Sequence, residues 1–479
     1  MTLPLGRACS DREEEEERHH RLAVAALLGR EAVVSDRDVT CGAEAALLGL
    51  EAAHAAVAAD DHHLVSDVDF NKRFETYKLR VRPWCWYFPV MLEFELPTMA
   101  AWKEHIAFFL LFLFFSPSVT AYRAPDPAIK AGYWPTWTFS YSPPSSVDRS
   151  LFTHLFYAFV QVESSTFRLN VTADDDLMLR NFSAAAHAPR NRGLTHPPVK
   201  ALLSIGGGDS DSAFSILAAR ASARAAFIDS TIAVARRYDL DGLDLDWEFP
   251  RDAGEMSDLA TLLLEWRAEA EREAATTGRP RLLLTAAVYF ASQFLLGDGR
   301  SYPVPQMAAA LDWINVMCYD FHGSWDTSAT GEHAAWYDPR SNISGSYGVD
   351  SWVAAGMPAK QVVLGMPLYG RTWELRNAAE HGVGAPAVAV GPGDNGVLLY
   401  SEVVDFNRNN NATVVHDQVL TAAYSYAGTS WIGYDDAWSV ARKVGFARRR
   451  RLGGYFFWAI GYDDSRQSVT RSAWHAWGR

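Results

Sequence analysis

A chain of 479 residues that is 49% hydrophobic and 21% charged has ample material for a packed core, and this argues against a disordered protein. Its formal net charge of −13 argues against nucleic acid and against stable association with anionic membrane surfaces. The 17 Trp, 19 Tyr and 25 Phe exceed ordinary core needs and suit a ligand with flat apolar faces, such as a sugar ring.

The first 98 residues differ from the rest. "REEEEERHH" is a run of like charge and "AEAALLGLEAAHAAVAA" is Ala-rich and repetitive, so residues 1–98 read as a low-complexity upstream extension without a site. "MAAWKEHIAFFLLFLFFSPSVTAY" follows, with a ten-residue apolar run at 106–115 and small residues at Val119 and Ala121. That run is shorter than the roughly 20 residues of a membrane span and fits a signal peptide over 99–121, with translation from Met99 and a mature chain from Tyr122. A buried core helix is the bland alternative. The expected location is outside the cell, or the vacuole. Sequons at Asn170, Asn181, Asn342 and Asn411 all follow the expected cleavage point and are expected glycosylation sites. Of Cys9, Cys41, Cys85 and Cys318, no two have metal-ligand spacing, so neither a metal nor a disulfide framework is expected.

From residue 131 onward, short apolar runs alternate with helical or loop segments. Strands are predicted at 131–134, 151–160, 199–207, 242–249, 282–290, 313–321, 362–370 and 454–461. Near-continuous apolar strands separated by helices predict a parallel sheet covered on both faces. Eight such units predict an α/β fold, a (β/α)8 TIM barrel. An open doubly wound sheet is the alternative, but no G-x-G-x-x-G opens a helix after a strand. The stretch from 372 to 450 is too long for one crossover and predicts a small α+β insertion between strands seven and eight, walling the catalytic face.

The fourth strand carries "DGLDLDWEFP", with four acids in eight residues. Strand alternation puts Asp244, Asp246 and Glu248 on one face, and Leu243, Leu245 and Trp247 on the other. The acids therefore point into the barrel and climb toward its C-terminal mouth. Asp241 is out of phase, which suits a structural role. Like charges this close in a poorly solvated site cannot all ionise, so one holds a proton near neutrality, and Glu248 at the top suits a general acid. A structural cluster or a Ca²⁺ or Mg²⁺ site is the competing reading, though the strand lacks the Gly- and Asn-bearing loop such sites use.

"DGLDLDWE" resembles the D-x-x-D-x-D-x-E signature of glycoside hydrolase family 18, the chitinases. "SIGG" (204–207), "MCYDFHGSW" (317–325), "MPLYGR" (366–371) and "FFWAIGYDD" (456–464) agree with it in order, and "LFTHLFYAF", "LLLTAAVY" and "WIGYDD" are similar to the plant class V branch. The resemblance runs from about residue 129 to the C-terminus and makes 122–479 the catalytic barrel. It implies hydrolysis of β-1,4 bonds between N-acetylglucosamine units with net retention, the substrate's acetamido oxygen acting as nucleophile. Glu248 would be acid and base, Asp246 would hold the acetamide N–H, and Asp244 would tune Asp246. Tyr319 and Asp320 would orient the acetamido group. Trp458 would stack under the reacting sugar, and Tyr369 and Arg371 would contact sugars from strand seven. Tyr133, Phe159 and Met317 would shape the pocket, although plain barrel core explains these three nearly as well. Arg371 could instead serve only to pair with a carboxylate. No cofactor is implied, the partner is chitin or its oligosaccharides, and a monomer is expected. A chitin-binding lectin or inhibitor on the same barrel, and an endo-β-N-acetylglucosaminidase, are the alternatives; lectin-like relatives typically lose the glutamate or the aspartate two residues before it, and both are present.

Overall fold

The structure, a computed structural model, describes residues 128–189, 198–208, 211–295 and 299–478. The 1–98 extension, the 99–121 segment and Cys9, Cys41 and Cys85 lie outside the described residues. Eight parallel strands close on themselves in chain order: Ile129–Pro135, His154–Val162, Lys200–Gly207, Gly242–Trp247, Leu283–Tyr289, Trp313–Met317, Val362–Pro367 and Gly454–Trp458. The last pairs with the first through Gly454 opposite Ile129, which completes the barrel. Helices such as Ala221–Arg237 and Ala253–Thr277 connect the strands. The second starts where the Asp252 carboxylate accepts from the Glu255 N–H and stops at Gly278, whose φ of 69° is open to glycine at no steric cost.

The alternation on the fourth strand partitions as its sequence dictates. Leu243, Leu245 and Trp247 join the core between strands and helices, where Trp247 packs on Phe214 with ring centroids 5.8 Å apart. Burying each such side chain contributes about 1.5–3 kcal/mol. Inside the barrel lies a smaller cluster built on Ala131, Tyr133, Phe156, Leu202, Trp313 and Phe456. Register then decides which polar groups meet. Ser204, Asp244 and Thr285 are direct partners on three successive strands, so one level of the barrel interior is polar. One level higher Gly206 pairs with Asp246, and a Cβ there would stand 2.1 Å from the Asp246 carbonyl oxygen. Only glycine permits that approach, at a φ of 115°.

Between the last two barrel strands lies a second, antiparallel sheet in the order Ala387–Val390, Tyr369–Leu375, Ser430–Tyr434, Ala422–Ala427 and Thr413–Asp417. It holds its own core of Trp373, Leu375, Ala387, Tyr424 and Trp431. The seventh barrel strand ends at Pro367, and Tyr369 opens the first strand of this second sheet. Tyr369 and Arg371 are therefore presented by the insertion and not by the barrel strand that the sequence suggested.

Candidate active site

The site begins at Asp244, which is fully buried. Its carboxylate accepts from Ser204 Oγ at 2.7 Å, Thr285 Oγ1 at 2.5 Å and Tyr133 Oη at 2.9 Å. Asn315 completes the set: its Nδ2 donates to Tyr133 Oη at 2.9 Å, while its Oδ1 accepts from Trp313 Nε1 at 3.0 Å. Burial pushes the Asp244 carboxyl up, and these donors offset only part of the rise. Asp244 is thus the fixed base of the acidic row, held by groups from four other strands of the barrel.

Asp246 is 4% exposed and sits directly above. Burial first, then the charges of Glu248 and Asp244, raise its carboxyl well above the usual range. Glu248 is half-buried at the strand's C-terminal end and opens onto a cleft of about 680 Å³. Tyr289, Met317, Tyr319, Asp320 and Trp325 line that cleft with it. Burial, followed by the charges of Asp246 and Glu248, pushes the Tyr319 phenol well up, so it remains a hydrogen-bond donor.

Asp320 adopts a φ of 60° just past the sixth strand, which turns its carboxylate back across the mouth. Tyr369 Oη donates to its Oδ1 at 2.7 Å, and Arg371 contributes Nε at 2.9 Å and Nη2 at 2.8 Å. The buried His333 ring stands 3.6 Å behind it. Burial pulls Asp320 up, but His333, Arg371 and Tyr369 outweigh it and hold the carboxyl below its ordinary value. Tyr369 is 5% exposed with its hydroxyl on Asp320, and the Arg371 guanidinium lies over the Trp325 ring at 4.9 Å. Both residues expected to contact sugars are thus engaged with Asp320, the carboxylate pairing weighed as the plainer reading for Arg371.

Trp458 ends the last strand half-buried, its ring 5.5 Å from Phe159 and nearly parallel, 5.8 Å from Tyr133 and 6.0 Å from Trp137. These rings form an aromatic floor; Tyr133 is covered by its neighbours, as barrel core is, whereas Phe159 is half-buried. Trp137, Trp325, Thr285, Asn315 and His333 were not singled out from the sequence, and Ser204 read as a close-packing residue without chemistry, whereas its hydroxyl donates to Asp244. For Ser204, Thr285 and Asn315 a signal existed: each is the polar residue in an otherwise apolar strand, at the level of Asp244. Asp241 is structural, accepting from Ala201 N and His187 Nε2, each at 2.8 Å. Cys318 packs among the strand-to-helix core, and burial pushes its thiol up to about 12. Asn170, Asn181, Asn342 and Asn411 are exposed.

A closed parallel barrel whose C-terminal mouth holds an acidic row, an aromatic floor and an open cleft is the frame of a glycoside hydrolase. The chain belongs to glycosyl hydrolases family 18, whose model matches residues 129–463. It is 46% identical to the class V chitinase CHIT5 of Lotus japonicus over 374 residues, covering 77% of this chain and 91% of the relative. It is 48% identical to the Nod factor hydrolase protein 1 of Medicago truncatula over 336 residues, 69% of this chain and 86% of that one. Among solved structures, a family 18 chitinase from Cycas revoluta in complex with (GlcNAc)3 superposes with a TM-score of 0.69 at 44% identity, covering 73% of this chain and all of the other.

Proposed function

We propose that this glycoside hydrolase is a chitinase that cleaves β-1,4 bonds between N-acetylglucosamine units with net retention. The observation that carries the reading is the Asp244–Asp246–Glu248 row, which climbs the fourth strand and ends in Glu248 at the cleft. Glu248, as the acid, donates its proton to the glycosidic oxygen as the C1–O bond breaks. The acetamido carbonyl oxygen of the same sugar attacks C1, closing an oxazolinium ring. Asp246, once ionised, accepts the acetamide N–H and stabilises the positive charge on that ring. Glu248, now a carboxylate, takes a proton from water as its oxygen opens the ring, which regenerates the acid. Tyr319 and Asp320 orient the acetamido group, Tyr369 and Arg371 hold Asp320 in place, and Trp458 with Met317 bears the sugar. The high identity to a class V chitinase supports the substrate class.

Proton NMR of the fresh reducing end formed from chitin tetrasaccharide tests this: the β anomer appears first if the mechanism holds, whereas the α anomer would mean an inverting enzyme. The chain acts as a monomer, is secreted through the segment at 99–121, and carries glycans at Asn170, Asn181, Asn342 and Asn411; the exposure of all four asparagines supports the last point. Intact-mass and glycopeptide measurement on protein from a secreting plant host tests secretion and occupancy together.

A further inference from the structure

His333 takes no part in the reaction as proposed, yet its ring lies 0% exposed behind Asp320. The backbone holds it there. The Phe321 N–H donates to the His333 carbonyl at 2.9 Å, so the intervening loop returns to the residue next to Asp320. Lys443 Nζ grips the following carbonyl, that of Ala334. A Cβ on Gly331 would stand 2.3 Å from the His322 ring, so the loop closes tightly on itself.

Both ring nitrogens of His333 face acceptors. Nε2 lies 3.2 Å from the Tyr369 carbonyl oxygen, which can only accept, so Nε2 carries a hydrogen. Nδ1 is buried without a hydrogen-bond partner, and Asp320 Oδ1 is 3.6 Å from it. Tyr369 Oη and the Arg371 guanidinium already donate to that same Oδ1. Oδ2 is the oxygen of Asp320 left for the substrate. A proton drawn from solvent toward Asp320 therefore has two places to settle. On Oδ2 it removes the acceptor that the substrate needs. On His333 Nδ1 it makes a new charge-assisted donor to Oδ1 and leaves Oδ2 ionised.

We infer that His333 is a positioning residue for the reaction: its Nε2–H fixes the Tyr369 carbonyl, and its Nδ1 takes up the proton that would otherwise neutralise Asp320. This rests on the proposed chitinase activity and adds a guard on the orienting carboxylate at acid pH. The groups that face the ring are Asp320 at the barrel mouth, Tyr369 and Arg371 from the insertion, and Asp435 beyond them, with Glu332 next in the chain and Lys443 on the Ala334 carbonyl. Burial first opposes a second proton on the ring, Asp320 and Asp435 favour it, and Arg371 opposes it. The balance holds the imidazole below its ordinary value, and Asp320 lies below the ordinary carboxylate value, so the imidazole is protonated first.

The test separates the two nitrogens in the full chain. A glutamine amide takes the place of Nε2 and an asparagine amide that of Nδ1. The pH profile of kcat/KM on chitin tetrasaccharide is measured for wild type, His333→Gln and His333→Asn. His333→Gln keeps the Tyr369 tether but leaves Asp320 unguarded, so its acid limb should move to higher pH by about one pH unit, with turnover at pH 7.5 within about threefold. His333→Asn still offers a donor to Oδ1 and should regain at least half of that displacement. An unmoved limb in His333→Gln, or equal displacement in both variants, would overturn the assignment and leave the chitinase reading intact. Nitrogen-15 NMR of wild type labelled at histidine reads the proton directly, the His333 signals being those absent from either variant. Nε2 alone should be protonated at pH 7.5, and both nitrogens below the acid limb. A proton on Nδ1 alone at pH 7.5, or a ring that stays singly protonated throughout, would also overturn it. Wild type that fails to cleave the tetrasaccharide would overturn the chitinase reading, and the ring nitrogens would still decide where the proton goes.

Discussion

Lys443 and Asp435 form an ion pair sealed between the insertion and the barrel, with side chains 3% and 0% exposed and a closest approach of 2.5 Å. Lys443 Nζ also donates to the carbonyl of Ala334, the residue after His333, so it braces the segment that puts His333 behind Asp320. Lys443→Met keeps the length of the stem and deletes the charge. Asp435 is then a buried carboxylate that accepts from Ser439 Oγ at 2.7 Å without a cation beside it, and Glu332 loses the positive charge that offsets its burial. Breaking a buried pair from one side costs about 3–5 kcal/mol. For a domain of this size roughly 2 °C accompanies each kcal/mol, so the melting temperature should fall by about 6–10 °C. The double variant Lys443→Met with Asp435→Asn removes both charges and should recover at least half of that loss, because the penalty is the unpaired charge and not the missing contact. Differential scanning calorimetry of wild type, Lys443→Met, Asp435→Asn and the double variant is the assay. A single variant melting within about 2 °C of wild type, or a double variant as unstable as the two single losses combined, would refute the reasoning.

Three further outcomes follow from the same geometry. Asp246 and Asp244 have folded-state values raised above their unfolded ones, so the stability they confer is full below the unfolded carboxylate value and is lost as pH rises through the folded values; Asp246→Asn should therefore be more stable than wild type at about pH 8, and the difference should shrink on acidification, as thermal melts across pH will show. Arg371→Met removes a cation that holds Asp320 below its ordinary value, so the acid limb of the kcat/KM profile should move to higher pH, and an unmoved limb would mean that Asp320 titrates outside the measured step. Gly206→Ala places a Cβ 2.1 Å from the Asp246 carbonyl oxygen at a φ of 115°, and should cost more than about 4 kcal/mol, read as a loss of soluble protein or a collapsed melting temperature.

Much of this was written in local pattern. The eight strands stood out because both faces of a barrel strand are covered and the runs are almost wholly apolar, which makes single acids at every second position conspicuous. The end of the seventh strand was hidden for the opposite reason. The chain passes from Val362–Pro367 into Tyr369–Leu375 with hardly a break in its extended conformation, and Pro367 alone marks the change of sheet. Asp320 was legible but its mount was not. His333 is 13 positions further on in a loop, and Arg371 and Tyr369 reach it from another sheet, contacts that only tertiary structure can supply. The Lys443–Asp435 pair was not legible either, because only packing shows that water is excluded from both.

The most direct measurement is turnover of chitin tetrasaccharide by the full chain, with Glu248→Gln beside it and binding of the same sugar followed by calorimetry. Cleavage by wild type, a loss of at least about a thousandfold in the variant, and binding retained by both is the predicted result, since the substitution removes the proton donor and little else. Binding by both proteins with turnover by neither, or a variant that cleaves as fast as wild type, would contradict it.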